Sequence, residues 1–187
     1  MSDRLAVMES GKVAQVGRPV EVYEEPADAY VADFLGVSNL MDANAGGADA
    51  EGLCRIRLGD FDLAAERGST DCVGAVKLAI RPERVGIEPY ESTGPNRLPA
   101  MVERLIFLGS FTQVIVRLAH GERLQVLLQN QGGPPPYHQG MAVQVHLPAD
   151  GLRVLRSVPL VEDEDPPLVM TEVPPVQPVG RVVHRSD

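Results

Sequence analysis

The sequence has no tryptophan, and aromatic residues make up only 4% of its 187 residues. A protein that binds single-stranded nucleic acid typically stacks the bases on exposed aromatic side chains in a basic groove. This chain has 17 basic residues against 26 acidic ones, a net charge of −9, which disfavours contact with phosphate backbones. The composition therefore argues against nucleic acid as a partner.

Cysteine and long apolar runs are also scarce. The two cysteines, Cys54 and Cys72, form no Cys-x-x-Cys pair, and a chain with 44% hydrophobic residues can build a core without disulfides. No apolar run approaches the roughly 20 residues of a membrane-spanning helix, and Met1 is not followed by a signal peptide. We expect a soluble, cytoplasmic chain with reduced thiols and a core of Val, Leu, Ile and Ala.

Patterns that carry catalysis or bind metal are missing as well. The histidines lack both i, i+4 spacing and a cysteine pair, which disfavours a zinc site; they are His120, His138, His146 and His184. Asp60 and Asp62 share one face of a predicted strand, where a solvent-exposed role is favoured over acid-base chemistry. No Gly-x-Ser-x-Gly turn is present. We expect no catalytic, cofactor-binding or metal-binding residue in this chain.

The first 36 residues predict a hairpin followed by helix. Two Val-rich runs, 5–8 and 12–16, flank Glu9-Ser10-Gly11, whose glycine suits a tight turn. Pro19 predicts the start of a short helix that Pro26 interrupts. Apolar residues at 27, 30, 31, 34 and 35 then predict a second helix with its apolar stripe packed against a β layer, ending at Gly36.

From residue 37 to 156 the pattern changes to short β-type runs separated by turn residues, which indicates a small barrel or sandwich. The predicted strands are Leu53–Leu58, Phe61–Ala64, Gly74–Ile80, Val85–Ile87, Ala100–Leu108, Phe111–Leu118, Arg123–Leu128, Ala142–Leu147 and Val154–Leu155. Residues 132–136, Gly-Gly-Pro-Pro-Pro, are predicted to be a loop.

The last segment, 157–187, contains six of the 16 prolines and the acidic run Glu162-Asp163-Glu164-Asp165. Prolines block strand pairing and like charges repel each other, so we expect a disordered tail. The tail has two Arg and six acidic residues, a charge of −4, so the other 156 residues have a charge of −5.

The N-terminal part resembles a segment of a known family. The residues that match are the run 2–8, Gly11-Lys12-Val13-Ala14-Gln15-Val16-Gly17, Pro19-Val20-Glu21-Val22-Tyr23, Pro26, Tyr30-Val31-Ala32-Asp33-Phe34-Leu35-Gly36 and Asn39. This series is similar to the segment that follows the switch histidine in ATP-binding subunits of bacterial ABC importers of the spermidine/putrescine, ferric-ion and maltose type.

Downstream, Ala79-Ile80-Arg81-Pro82-Glu83 resembles a strand of the transport-associated, OB-like domain (TOBE domain) of those subunits. The runs 108–110, 114–118 and 145–150 resemble its later strands. The resemblance implies a mainly β fold, an OB-like or MOP-like barrel over residues 37–156. Residues 1–36 would be the C-terminal remnant of the ATPase domain.

No phosphate-binding Gly-x-x-x-x-Gly-Lys-[Ser/Thr] motif occurs in the sequence. The resemblance implies that ATP and Mg are cofactors of the full-length family and that this chain alone binds no cofactor and is no enzyme. A truncated gene, an internal start and an excised piece all explain such a sequence.

Two short motifs are candidate sites. Arg81 and Glu83 flank Pro82, which places them at a strand end, either as a local anchor of the turn or as an interface between domains or subunits. Gly109 and Ser110 either turn a hairpin or bind a small oxyanion weakly, as loops of this region do in molybdate-binding relatives.

We therefore expect a regulatory and dimerisation module of an ABC importer's ATP-binding subunit. Its partners would be a second copy and membrane permease subunits, and it would lie in the cytoplasm at the inner membrane. Polyamine import is the nearest match, although the solute is chosen by other subunits. The alternative is a stand-alone β-barrel that senses a small oxyanion.

Overall fold

The computed structural model describes residues 3–36, 39–69, 71–130, 132–133 and 135–156. It begins with the predicted hairpin, in which β1 (Leu5–Glu9) pairs with β2 (Lys12–Gly17). Ser10 and Gly11 both have positive φ angles, 47° and 81°, as a two-residue hairpin turn of matching twist requires. This prediction is confirmed.

Two short helices follow the hairpin, α1 (Pro19–Glu24) and α2 (Ala29–Phe34). Helix α2 begins later than expected because Asp28 caps it, accepting a hydrogen bond from Val31 N at 2.9 Å. Its apolar stripe is only partly buried, since Val31 is inside but Phe34 is 61% exposed.

Most of the chain forms a β body, residues 39–156, made of two larger sheets. One has six strands in the order β5-β4-β3-β7-β13-β6, and the other has five in the order β11-β10-β9-β12-β8. The strands are β3 (Asn39–Ala48), β4 (Cys54–Leu58), β5 (Phe61–Ala65), β6 (Arg67–Gly68), β7 (Val73–Ile80), β8 (Gly86–Pro89), β9 (Arg97–Phe107), β10 (Phe111–Leu118), β11 (Arg123–Gln129), β12 (Ala142–His146) and β13 (Arg153–Arg156).

The core lies between the two sheets, which curl towards each other as the halves of a barrel. Alternate residues of each strand face inward, as in β10, where Thr112, Val114, Val116 and Leu118 are buried. The buried members of this core are Val, Leu, Ile and Ala with one Met and one Cys. The predicted mainly β, OB-like fold is confirmed.

Two buried asparagines connect the two sheets. Asn39 on β3 donates to Gln125 O of β11 at 2.9 Å and accepts from Gln125 N at 2.7 Å. Asn96, just before β9, binds both backbone groups of Ala64 on β5 at 2.8 Å and donates to Leu147 O at 2.8 Å. Each side-chain amide therefore replaces a missing backbone partner where the barrel closes.

The predicted strands all occur, with ends that shift by at most three residues. Strands β3 and β6 were not predicted. Strand β6 is only two residues long and pairs in parallel with β13, where Gly68 is required because a Cβ would overlap the Val154 carbonyl. The division of the chain at residue 36 stays a prediction, and the predicted tail, 157–187, lies outside the described residues.

Within the described residues, no helix has the length and apolar character needed to cross a membrane. In that same part of the chain, no three His, Cys, Asp or Glu side chains are grouped as metal ligands would be.

Candidate contact site on helix α1

The Arg-Pro-Glu motif forms one of the two connections between the sheets of the β body. Strand β7 of the six-stranded sheet ends at Ile80, and a 3-10 turn, Pro82–Arg84, leads to β8 of the five-stranded sheet. Pro82 is buried at the first position of the turn, where its missing N–H costs nothing. The turn fixes the backbone at Arg81, whose carbonyl accepts from Arg84 N at 2.9 Å.

Arg81 and Glu83 both bind Tyr23 of helix α1. The Arg81 guanidinium lies 3.9 Å from the centre of the Tyr23 ring and donates to Tyr23 O at 2.7 Å. The Tyr23 hydroxyl donates to Glu83 Oε1 at 2.9 Å. The two residues thus bind the ring face, the backbone and the hydroxyl of one side chain on the neighbouring helix.

Burial raises the pKa of Tyr23, and the hydrogen bond to Glu83 raises it further. The nearby Arg81 charge acts in the opposite direction and lowers the pKa. Because the net shift is upward, Tyr23 keeps its proton, and its role as donor to Glu83, at neutral pH.

The next residue of α1, Glu24, is surrounded by arginines of the β body. Its carboxylate Oε2 lies 3.4 Å from Arg67 Nη1 and 3.5 Å from Arg84 Nη2, and its backbone oxygen accepts from Arg153 Nη1 at 3.3 Å. Helix α1 has no basic residue in its own last turn. The β body therefore supplies the positive charge that favours a helix C-terminus.

Arg153 is partly buried, as are the other two arginines. Burial lowers its pKa, the charge of Arg67 lowers it further, and Glu25 and Glu24 raise it. Its Nε atom is buried without a hydrogen-bond partner. The arginine is held in place although its desolvation is only partly offset.

A small apolar contact supports the polar one. Ala32 of α2 packs against Ala79 of β7 and Leu155 of β13. We call the whole surface, polar and apolar, the α1 contact; it comprises Tyr23, Glu24, Ala32, Arg67, Ala79, Arg81, Glu83, Arg84, Arg153 and Leu155.

The second predicted motif, Gly109-Ser110, lies at the turn between β9 and β10. Gly109 has a φ of 80°. Asn130 binds the turn, donating through Nδ2 to Gly109 O at 2.6 Å and through its backbone N to Ser110 O at 2.9 Å. The structure therefore does not bring the two predicted motifs together.

A groove of about 940 Å³ lies on the outer face of the five-stranded sheet. Met101 and Ile115 form part of its apolar lining, and Arg117 and Arg123 lie at one side. Both arginines bind Glu103, which uses part of their hydrogen-bonding capacity.

Sequence reasoning found Arg81 and Glu83 but missed most of the residues around them. Tyr23 lies in the N-terminal run that carries the family resemblance, and an aromatic residue after Pro19 was the available signal. Arg67, Arg84 and Arg153 carried none, because an arginine in a turn or short strand usually faces solvent.

The architecture defines a class of protein first, a small OB-like β module. The solved structure of ModG, a cytoplasmic molybdate-binding protein, matches it with a TM-score of 0.53 at 14% identity, covering 63% of this chain and 95% of that one. At this level of identity the likeness shows the fold.

The sequence comparisons then give the family. Residues 78–155 match the family model of the TOBE domain. The spermidine/putrescine import ATP-binding protein PotA of Rubrobacter xylanophilus is 37% identical over 148 residues, which are 78% of this chain and 38% of that protein. PotA 1 of Pseudomonas aeruginosa is 38% identical over 156 residues, 83% of this chain and 41% of that protein.

Residues 78–155 of this chain therefore match the TOBE domain, and most of the chain is similar to ABC importer ATP-binding subunits. It spans about two fifths of the length of these relatives. The resemblance stated from the sequence is confirmed.

Proposed function

We propose that the chain is a regulatory and dimerisation module of an ABC importer's ATP-binding subunit, of the polyamine type. The observation that carries the proposal is the α1 contact. Its two halves are a helix from the segment that resembles the end of the ATPase domain and the turn that joins both sheets of the TOBE-containing β body. A change in either half is transmitted to the other through Arg81 and Glu83.

The complete subunit would use ATP and Mg, and this chain would contribute no catalytic or cofactor-binding residue. Its partners would be a second copy of the subunit and membrane permease subunits, reached through the ATPase domain. The assembly would lie on the cytoplasmic side of the inner membrane. In this role Arg81 and Glu83 are interface residues between the two functional parts.

Two measurements test the proposal. Titration of the purified chain with Mg-ATP in a calorimeter should give no binding heat, and tight binding would overturn the non-catalytic assignment. For regulation, residues 2–156 replace the matching segment of the Pseudomonas aeruginosa relative, and spermidine uptake is measured in cells.

The chimeric subunit should support uptake. Introducing Arg81→Ala should lower uptake while the purified subunit still hydrolyses ATP, because the α1 contact is lost and the ATP site is untouched. Arg55→Ala, a change at an exposed arginine of β4, is the matched control. Equal uptake with Arg81→Ala and Arg55→Ala would contradict the regulatory role.

A second candidate is a stand-alone sensor of small oxyanions. The fold shared with a molybdate-binding protein favours it, and the Gly109-Ser110 turn or the arginine side of the groove would supply the donors. Thermal unfolding with and without molybdate tests this, since a ligand at 100 times its Kd adds about 2.7 kcal/mol of stability. No shift with molybdate, tungstate or sulfate would remove this candidate.

A further inference from the structure

The turn between β9 and β10 exposes large apolar side chains at its tip. Phe107 is 72% exposed, Leu108 is 56% exposed and Phe111 is 40% exposed. We call these three side chains the apolar tip. Single exposed apolar residues are ordinary, but three together on one turn indicate an interaction surface.

The apolar tip is held rigidly from behind. Leu108 N donates to Phe111 O at 2.8 Å, which closes the turn. Thr112, only 1% exposed, donates through Oγ1 to Asn130 Oδ1 at 2.7 Å, so that Asn130 is oriented for its bonds to the turn carbonyls. A surface that is already ordered loses little conformational entropy when it binds, which favours association.

The sequence on both sides of the tip lacks charge. Residues 105–116 and 124–149 contain no Asp, Glu, Lys or Arg, although the chain as a whole has a net charge of −9. Two copies with such a charge repel each other across most of their surfaces. They approach at the least electrostatic cost where both present an uncharged surface.

We propose that two copies of this chain meet through the apolar tip. The inference rests on the homodimer of the proposed function and assigns its face. Around a two-fold axis through the turn, each copy presents the same three side chains to its equivalent, as an isologous interface requires. An aromatic side chain buries about 150–250 Å², so two Phe and one Leu from each copy supply the apolar centre of a small interface.

Such a contact is at the low end of interface sizes and should give a weak dimer. We therefore expect a Kd on the order of 10 µM, with the chain mostly dimeric at about 100 µM. Added salt should strengthen the dimer, because it screens the repulsion between the two negative copies.

Sedimentation velocity of the full chain over a concentration series tests the proposal. The double variant Phe107→Ser with Leu108→Ser should weaken the dimer at least about tenfold, a loss of about 1.4 kcal/mol. The control is Val13→Ser with Val20→Ser, which replaces two residues that are 58% and 72% exposed on the N-terminal segment. Circular dichroism establishes that both variants are folded.

A wild-type chain that stays monomeric at about 100 µM would overturn the proposal. So would a dimer that survives in the tip variant or is lost equally in the control. Flotation with phosphatidylcholine vesicles by a monomeric chain would assign the tip to lipid instead and would also overturn it. The regulatory role is measured separately, by uptake in the chimeric subunit, so failure of one leaves the other to be judged on its own result.

Discussion

At the scale of single residues, the α1 contact is concentrated on Tyr23. Its ring, hydroxyl and carbonyl oxygen all bind residues of the Arg-Pro-Glu turn. Arg81 makes two of these three interactions. The contact therefore depends unequally on its members.

Arg81→Ala should destabilise the chain by about 1.5–3 kcal/mol, because it removes a cation–π contact and a hydrogen bond from a charged donor. Tyr23→Phe keeps the ring under Arg81 and loses only the bond to Glu83, so about 0.5–1.5 kcal/mol is expected. Urea unfolding measures both.

Tyr90→Phe serves as the control, since Tyr90 is 52% exposed and removal of its hydroxyl should leave the unfolding midpoint unchanged. A larger loss from Tyr23→Phe than from Arg81→Ala would contradict this order.

Glu88 gives a residue-scale prediction about pH. Two hydrogen bonds from Arg97, at 2.7 and 3.0 Å, lower its pKa from the ordinary value near 4.5, while desolvation acts in the opposite direction. His146 Nδ1 also lies 3.5 Å from this carboxylate. Because the folded pKa is depressed, ionised Glu88 stabilises the fold above the unfolded pKa, and this is lost as pH falls through the folded pKa.

Glu88→Gln should therefore lower the unfolding midpoint at pH 7, and the difference from wild type should shrink as the pH falls below about 4. Chemical unfolding at a series of pH values measures it. Glu91→Gln, at an exposed carboxylate in the following turn, is the control. A difference that stays constant with pH would show that the carboxylate charge is not involved.

At the scale of elements, β3 is a long strand that the sequence pattern did not predict. Its ten residues, Asn39–Ala48, are mostly Ala, Gly, Asn and Asp, which are depleted in strands. The alternation is nevertheless present, since Asn39, Met41, Ala43 and Ala45 are buried and the residues between them are less so. This alternation is hard to recognise in the sequence, because alanine differs little in hydrophobicity from its polar neighbours.

The long-range partners could not be predicted for a different reason. Local patterns located the hairpins, the helices, nearly all strands and the Arg-Pro-Glu turn. They carry no information about which residues meet across 58 to 129 positions, as Arg81 and Arg153 do with α1. The sequence motif therefore predicted the position of the site. The residues that contact the motif could be identified only from the folded structure.

Asn39 should be the most sensitive position of β3. Asn39→Ala leaves the N–H and C=O of Gln125 without partners at a closed edge, which should cost about 2–4 kcal/mol. Asn44→Ala, at an exposed residue of the same strand, should change stability by less than about 0.5 kcal/mol. Thermal unfolding measures both, and equal effects would show that the amide does not close the barrel.

At the scale of the whole molecule, the N-terminal segment and the β body differ in how they are stabilised. The segment has a small buried core of Val7, Val22 and Val31. The β body has a large apolar core between its sheets. Polar and charged groups contribute more to the contact between α1 and the β body than to the packing of the two sheets against each other.

Salt should therefore loosen the N-terminal segment selectively. In 1 M NaCl the Debye length falls to about 3 Å, which weakens the pairs of Glu24 with Arg67 and Arg84. Amides of α1 should exchange hydrogen several-fold faster, measured by mass spectrometry, while those of β10 should not change. Unchanged exchange in α1 would show that apolar packing alone holds it.

The turn Pro82–Arg84 also has a mechanical consequence. It is one of the two links through which the chain passes between the sheets, the other being the segment from β12 to β13, and Arg81 and Glu83 attach it to α1. A force on helix α1 therefore acts on both sheets at the same point, because this turn follows β7 of one sheet and precedes β8 of the other.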